Sequence, residues 1–157
     1  ILQDKELAVE DKWQSLSSII TPVFDLKSMS QSILDRDWKE ASKEEKKNVM
    51  SYFSQYLEFI YRENMNNFNP NKLSYIGEQI KKNRAIVDAV MKINGQRIMI
   101  SYRLLRKEQA WRLYNVYFED VSIVDNWKQL HTAMINSEGL QGLLTTLELE
   151  FLSTKKY

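Results

Sequence analysis

The segment from Trp111 to Val124 has the sequence WRLYNVYFEDVSIV. Its aromatic and β-branched residues favour a strand, which we expect to end near Phe118. After Asp120 the apolar residues return to helical spacing. We therefore predict a helix that begins near Asn126. A second helix should follow, divided from it by Gly139, because glycine is a common helix terminator.

The segment before this one alternates with a period of two, from Leu73 to Phe118. The pair Asn94-Gly95 interrupts it and predicts a two-residue hairpin turn, which fixes the register of the flanking strands. We expect an apolar face that pairs Met91 with Ile98, Ala89 with Ile100 and Val87 with Tyr102, and a polar face that pairs Lys92 with Arg97, Asp88 with Ser101 and Ile86 with Arg103.

A second hairpin connection is expected near residues 107–110. If its loop has two or four residues, the apolar residues of the strand after it lie on the same face as those of the strand before it. Leu104 then lies opposite Leu113, and Tyr102 opposite Asn115. A short strand around residues 73–76 would bring the sheet to four strands.

Helices are predicted on both sides of this β-region. Apolar residues with helical spacing in residues 2–20 predict one that ends at Thr21-Pro22. A short helix should carry Met29 as far as Trp38, and a long one should begin at the S-x-x-E capping box of Ser42. Its apolar stripe consists of Val49, Phe53, Tyr56, Leu57, Ile60 and Tyr61, and residues 66–71 are expected to form the loop after it.

These elements predict an α+β fold. We expect an antiparallel sheet of about four strands with several helices packed on one face. The length of 157 residues fits one domain, so residues 1–157 are expected to fold together.

Composition excludes several classes of protein. Lys plus Arg number 22 and Asp plus Glu number 21, so the formal charge of +1 gives no overall electrostatic case for nucleic-acid binding. There is no Cys and one His, so we expect no thiolate catalysis and no metal site. No apolar stretch approaches the roughly 18 residues that a membrane-spanning helix needs, so we expect a protein that does not span the membrane. The first residue is Ile1, which both a processed secreted protein and a cloned fragment would show.

Residues upstream of the β-region complete a pattern with the segment 111–124. The pattern from Pro22 to about Leu147 resembles the MlaC, or toluene-tolerance, family of periplasmic phospholipid-binding shuttle proteins. Two positions depart from it: Asn115 stands where the family usually has Asp, and Asp120 where it usually has Gly, which suggests a left-handed backbone there. The upstream residues that carry the resemblance are Phe24-Asp25, Met29, Leu34, Trp38-Lys39-Glu40-Ala41-Ser42, Phe53, Tyr56, Leu57 and Tyr61.

The resemblance implies that the apolar face of the sheet and the helices enclose a cavity for acyl chains. From the residues alone, an ordinary packed core is the simpler interpretation of the same apolar face. The lipid-binding residues that we predict on this basis are Phe53, Leu57, Ile60, Val87, Ala89, Met91, Ile98, Ile100, Tyr102, Leu104, Leu113, Val124, Trp127 and Met134.

The resemblance also implies a cellular location and binding partners. The protein would work in the periplasm and carry phospholipid between the two membranes, which maintains the lipid asymmetry of the outer membrane. Its partners would be an inner-membrane ABC transporter complex with an MCE-domain ring and an outer-membrane lipoprotein complex. The bound phospholipid would be its ligand, with no cofactor.

Two other functions remain open from the residues. The first is a cone-shaped α+β enzyme that acts on a small hydrophobic substrate, but we identify no catalytic residue for it. Asp88 and Ser101 are expected on the polar face without a histidine, and the lone His131 is most simply structural. The second is a protein-interaction adaptor without ligand, which would use the apolar spots Ile86, Val90 and Met99 of the polar face.

Overall fold

The structure, a computed structural model, describes residues 21–65, 72–93 and 95–154, and gives side chains for all of these except 61–65 and 151–154. The helix expected within residues 2–20 and the loop expected at residues 66–71 lie outside the described residues. The chain forms two compact units. The first comprises residues 1–25 and 57–123 and contains the sheet; the second comprises residues 26–56 and 124–157 and is helical.

The first unit contains one antiparallel sheet, whose five strands follow one another in chain order. This confirms the α+β class, with five strands instead of about four. The difference arises at β5, a two-residue strand that pairs with the end of β4. The first strand also extends to Lys81, well past the predicted Ile76. The strands are β1 (Leu73–Lys81), β2 (Arg84–Ile93), β3 (Gln96–Lys107), β4 (Ala110–Phe118) and β5 (Val121–Ser122).

Tight turns join these strands, and left-handed residues form them. Gly95 has a φ of 83°, as expected for a glycine in the turn between β2 and β3. The β3–β4 turn instead consists of Glu108 (φ 47°) and Gln109 (φ 67°). Asp120, expected to be left-handed, has a φ of 68° in the β4–β5 turn. Non-glycine residues therefore hold several of these positions, although the left-handed conformation costs them energy.

The β2–β3 register is as predicted in every pair, including Ala89 opposite Ile100 and Val87 opposite Tyr102. Between β3 and β4, Leu104 lies opposite Leu113, which is also confirmed. The predicted pairing of Tyr102 with Asn115 is wrong.

A β-bulge explains that error. The register shifts between Arg103 and Leu104, which leaves Tyr114 of β4 without an opposite residue. Beyond this extra residue Asn115 pairs with Arg103, and Val116 pairs with Tyr102. One inserted residue moves each following side chain to the other face of the pair.

The helices differ from the predictions at two boundaries. The single short helix expected to reach Trp38 is two helices, because Asp35 adopts a φ of 50° between them. The helix expected near Asn126 begins at Ile123, directly after β5. A 3₁₀ turn at Thr21–Val23 precedes the helices α1 (Leu26–Leu34), α2 (Asp37–Glu40), α3 (Lys43–Met65) and α4 (Ile123–Thr154).

The predicted capping box begins α3. The backbone N–H of Ser42 donates to Oε2 of Glu45 at 2.8 Å, and the backbone N–H of Glu45 donates to Ser42 Oγ at 3.1 Å. These two bonds use donors that the helix itself leaves without partners. The bond from the Ser42 backbone holds the pKa of Glu45 below its ordinary value.

A kink at Gly139 divides α4, as the sequence predicted. Its φ of 70° and ψ of −177° are not helical and belong to a region that only glycine occupies readily. The next turn packs closely here, because a Cβ on Gly142 would lie 2.3 Å from Cβ of Glu138. The backbone conformation thus requires glycine at residue 139, and the lack of space for a Cβ requires it at residue 142.

Candidate functional site

One face of the sheet carries a continuous apolar cluster. Its buried centre consists of Met91, Ile100, Leu113 and Val116, one or more from each of β2, β3 and β4. Strand alternation and the register place these side chains on one side. Partly buried residues packed against this centre are Phe24, Leu73, Ile93, Ile98, Tyr102, Leu104 and Ile123.

The predicted sheet residues share this face. Six of them belong to the cluster: Met91, Ile98, Ile100, Tyr102, Leu104 and Leu113. The other two, Val87 and Ala89, lie on the same face by register, opposite Tyr102 and Ile100.

Small side chains mark the β2 part of this face. Ala85 and Ala89 are both buried, and the half-buried Val87 lies between them on the same face. Because these side chains are short, they fill less space above β2 than leucines would.

The helix α3 contributes Leu57 and Ile60 to the first unit, and both are half-buried.

The remaining predicted residues belong to the helical unit. Phe53 and Trp127 are fully buried and contact each other edge to face, with ring centroids 5.6 Å apart. Val124 is buried one turn before Trp127, and Met134 is half-buried. These aromatic contacts fix Trp127 in one orientation.

The single histidine packs against the same tryptophan. The ring centroids of His131 and Trp127 are 4.1 Å apart, and His131 Nδ1 lies 2.8 Å from the backbone oxygen of Trp127. A histidine that is stacked on one side and bonded to its own helix is a structural residue, as the sequence suggested.

The opposite face of the sheet is polar. Ser101 Oγ donates to Asp88 Oδ1 at 2.5 Å, across the predicted pair. The guanidinium of Arg103 lies over the ring of Tyr117 at 5.0 Å. Within the described residues no three His, Cys, Asp or Glu side chains are grouped to hold a metal ion.

The apolar spots expected on this polar face are not equally available. Met99 is 45% exposed, Ile86 is half-buried, and Val90 is only 3% exposed. The expectation that Val90 offers a surface to a partner is therefore wrong. Alternation within β2 correctly predicted that Val90 lies on the polar face. Alternation gives the face of a residue but not its burial, and Val90 is buried.

Asn115 occupies a buried position between β4 and β5. Its Nδ2 donates to Ser122 Oγ at 2.8 Å, and its Oδ1 accepts the backbone N–H of Val116 at 2.9 Å. The amide thus serves as donor and acceptor at once. A neutral side chain satisfies this buried position without the desolvation penalty that a carboxylate would carry there.

Sequence reasoning missed the attachment of residues 21–25 to β4. Phe24 forms a parallel bridge with Leu113, and the backbone N–H of Asp25 donates to the Leu113 carbonyl at 2.8 Å. Arg112 Nη1 also donates to the Pro22 carbonyl. No periodicity or spacing signals a contact between segments so far apart in the chain.

Comparison with known proteins adds three findings. The sequence matches the family described as MlaC protein over residues 1–149. No curated protein matches the chain. The fold is similar to the structure of a phospholipid-binding protein from Ralstonia solanacearum in complex with a phospholipid, with a TM-score of 0.84 and 19% sequence identity. The likeness covers 95% of this chain and 85% of that chain.

Within the part of the chain that the structure describes, no helix is long and apolar enough to span a membrane.

Proposed function

This chain belongs to the MlaC family, and on that basis we propose that it is a periplasmic phospholipid-binding shuttle. It carries lipid between complexes of the inner and outer membranes and so maintains the lipid asymmetry of the outer membrane. The observation that carries the proposal is the family match over residues 1–149. The similar fold of a protein solved with a phospholipid supports it.

The energetics of lipid transfer explain why such a protein needs an apolar site. A two-tailed phospholipid has about 30 methylenes, and exposing each to water costs roughly 0.8 kcal/mol. The total exceeds about 20 kcal/mol, so a carrier must cover both tails throughout the transfer. The site must therefore be apolar and large, on the order of 1,000 Å³.

We assign the acyl tails to the apolar face of β2, β3 and β4. This face offers a continuous cluster without a charged side chain among its buried members Met91, Ile100, Leu113 and Val116. We also propose that residues 1–157 act as a single lipid-binding domain. The assignment of lipid contact to the following residues of α3 and α4 stays a prediction: Phe53, Leu57, Ile60, Val124, Trp127 and Met134.

Transfer at either membrane requires direct handover. Release of the lipid into water would incur the same penalty as removal from the bilayer, so the lipid moves only while the carrier is docked. The proposed partners are an inner-membrane ABC transporter complex with an MCE-domain ring and an outer-membrane lipoprotein complex. The role is one of binding and transport without catalysis, and the phospholipid itself is the ligand.

Native mass spectrometry tests the proposal. The full chain, exported to the periplasm of a Gram-negative host and purified without detergent, should carry one adduct of phospholipid mass per molecule. Extraction with organic solvent should release a lipid with both acyl chains. A bare protein mass in every preparation, and no uptake from phosphatidylglycerol vesicles, would overturn the proposal.

A further inference from the structure

Tyr102 is a phenol in the middle of the apolar face. It lies on the central strand β3, opposite Val87 of β2 and opposite Val116 of β4. Its ring packs against the apolar cluster. A polar atom is thus held among immediate neighbours on this face that are aliphatic.

No residue that the structure describes forms a hydrogen bond with the hydroxyl of Tyr102. Tyr102 is half-buried, and burial raises the pKa of its phenol. A phenol on an apolar face, without a partner among the described residues, can donate a hydrogen bond to a ligand that covers that face.

The neighbours of Tyr102 on this face define what that partner is. The adjacent positions along β3 are Ile100 and Leu104, and the cross-strand positions are Val87 and Val116. None carries a charge. A phosphate placed here would lose its hydration without gaining a cation, which is strongly unfavourable. A neutral carbonyl oxygen incurs a smaller desolvation penalty and accepts the hydrogen bond that the phenol offers.

We propose that the Tyr102 hydroxyl donates a hydrogen bond to an acyl-ester carbonyl of the bound phospholipid, so that the protein selects ester-linked over ether-linked lipids. This inference rests on the proposed function, since it concerns the same apolar face. It deepens that function, because it places the junction between glycerol and tails at the level of Tyr102.

A competition between two lipids that differ in one functional group tests the inference. Delipidated protein is mixed with vesicles that contain equal amounts of dioleoyl phosphatidylglycerol and its dioleyl ether analogue, and native mass spectrometry measures the ratio of the two adducts. The ether lipid has the same headgroup and chain length but lacks the carbonyl. The wild-type protein should carry the ester lipid in about three- to tenfold excess, the range of one net hydrogen bond.

Tyr102→Phe removes the hydroxyl and keeps the ring. This variant should load lipid with an ester-to-ether ratio near one. The matched control is Tyr117→Phe, which removes a phenol from the opposite face of the sheet and should keep the wild-type ratio. Circular dichroism and a thermal melt check that both variants are folded.

The possible outcomes separate the two proposals. A wild-type ratio near one, with both lipids loaded, overturns the role of Tyr102 and leaves lipid binding intact. A ratio that persists in Tyr102→Phe also overturns it. If the wild-type protein loads neither lipid, the proposed function fails and this inference fails with it.

Discussion

Nζ of Lys107 lies 2.5 Å from Oδ2 of Asp25, and only 8% of the Asp25 side chain is exposed. The pair joins the end of β3 to the segment that forms a parallel bridge with β4. A carboxylate this well buried needs a cation nearby, because an isolated buried charge is strongly unfavourable. The ion pair is therefore part of what holds residues 21–25 on the sheet.

Replacement of the cation tests that role. Lys107→Met keeps the aliphatic stem but removes the charge, so Asp25 is left buried beside an uncharged neighbour. Lys107 is 42% exposed, so water compensates in part, and the expected loss in the free energy of unfolding is about 1–3 kcal/mol. Urea denaturation measures it. The control is Lys128→Met, whose partner Asp35 is 72% exposed at 3.5 Å and which should lose no more than about 0.5 kcal/mol. Equal losses in the two variants would contradict the prediction.

Ala89→Trp tests whether the apolar face receives acyl chains. Ala89 is buried on that face, and an indole there would occupy the volume that we assign to the lipid. We expect the phospholipid adduct to be lost while the melting temperature stays within about 4 °C of wild type. Native mass spectrometry and a thermal melt give the two readouts. The control is Met99→Trp, on the polar face and 45% exposed, which should load normally. Severe unfolding of Ala89→Trp would instead indicate a face that is already filled by protein atoms.

Gly139→Ala measures the backbone strain at the kink of α4. A Cβ at this position would contact no described atom within 4 Å, so its cost comes from the φ of 70° and ψ of −177° alone. The expected loss of stability is about 1–3 kcal/mol. Gly77→Ala is the matched control, because its Cβ also meets nothing and its strand conformation suits alanine; it should be neutral or gain up to about 1 kcal/mol. A neutral Gly139→Ala would show that the kink relaxes into a regular helix.

The capping box predicts a dependence of stability on pH. The hydrogen bond from the backbone N–H of Ser42 lowers the pKa of Glu45 below its ordinary value in the folded protein. The ionised carboxylate therefore stabilises the folded state above the unfolded pKa, and this contribution is lost as the pH falls through the folded pKa. Glu45→Gln should show a smaller decrease in melting temperature than wild type between pH 5 and about pH 3. Glu44→Gln, in the same helical turn but outside the capping box, should follow the wild-type curve. Parallel curves for wild type and Glu45→Gln would refute the assignment.

The β3–β4 turn offers a stabilising substitution. Gln109 has a φ of 67°, where a Cβ costs about 1–2 kcal/mol. Gln109→Gly removes that cost but increases the entropy of the unfolded chain by about 0.5–1 kcal/mol. The expected net gain is about 0.5–1 kcal/mol, measured by chemical denaturation. The substitution also removes an exposed hydrogen bond from Arg106 to Gln109 Oε1, which contributes little in water. Gln79→Gly, at an exposed position within β1, should instead lose about 0.5–1 kcal/mol, and an equal loss at Gln109 would contradict the prediction.

Several features of the fold followed from local sequence alone. Asn94-Gly95 and the alternation around it gave the β2–β3 register, down to the pair Asp88–Ser101. The capping box at Ser42 and the division at Gly139 were also correct. Each of these depends on residues within a few positions of one another, where backbone preferences and side-chain periodicity act directly.

The candidate site could be predicted only in part, because local sequence does not report contacts between segments far apart in the chain. Alternation placed the predicted apolar residues of β2, β3 and β4 on one face, and six of them belong to the observed cluster. It did not reveal that Phe24 packs against that cluster, or that Val90 is buried on the polar face. The contact of Phe24 joins segments far apart in the chain.

The sequence by itself thus determined which residues alternate, where the main hairpin turns, where the long helix begins at Ser42 and where the last helix is divided at Gly139. The tertiary structure alone decided the bulge at Tyr114, the ion pair between Asp25 and Lys107, and the left-handed turns built from Glu108, Gln109 and Glu119. The physical reason is that these arrangements are locally neutral or unfavourable. They persist because contacts between segments far apart in the chain outweigh local preference, and such contacts leave no periodic signal in the sequence.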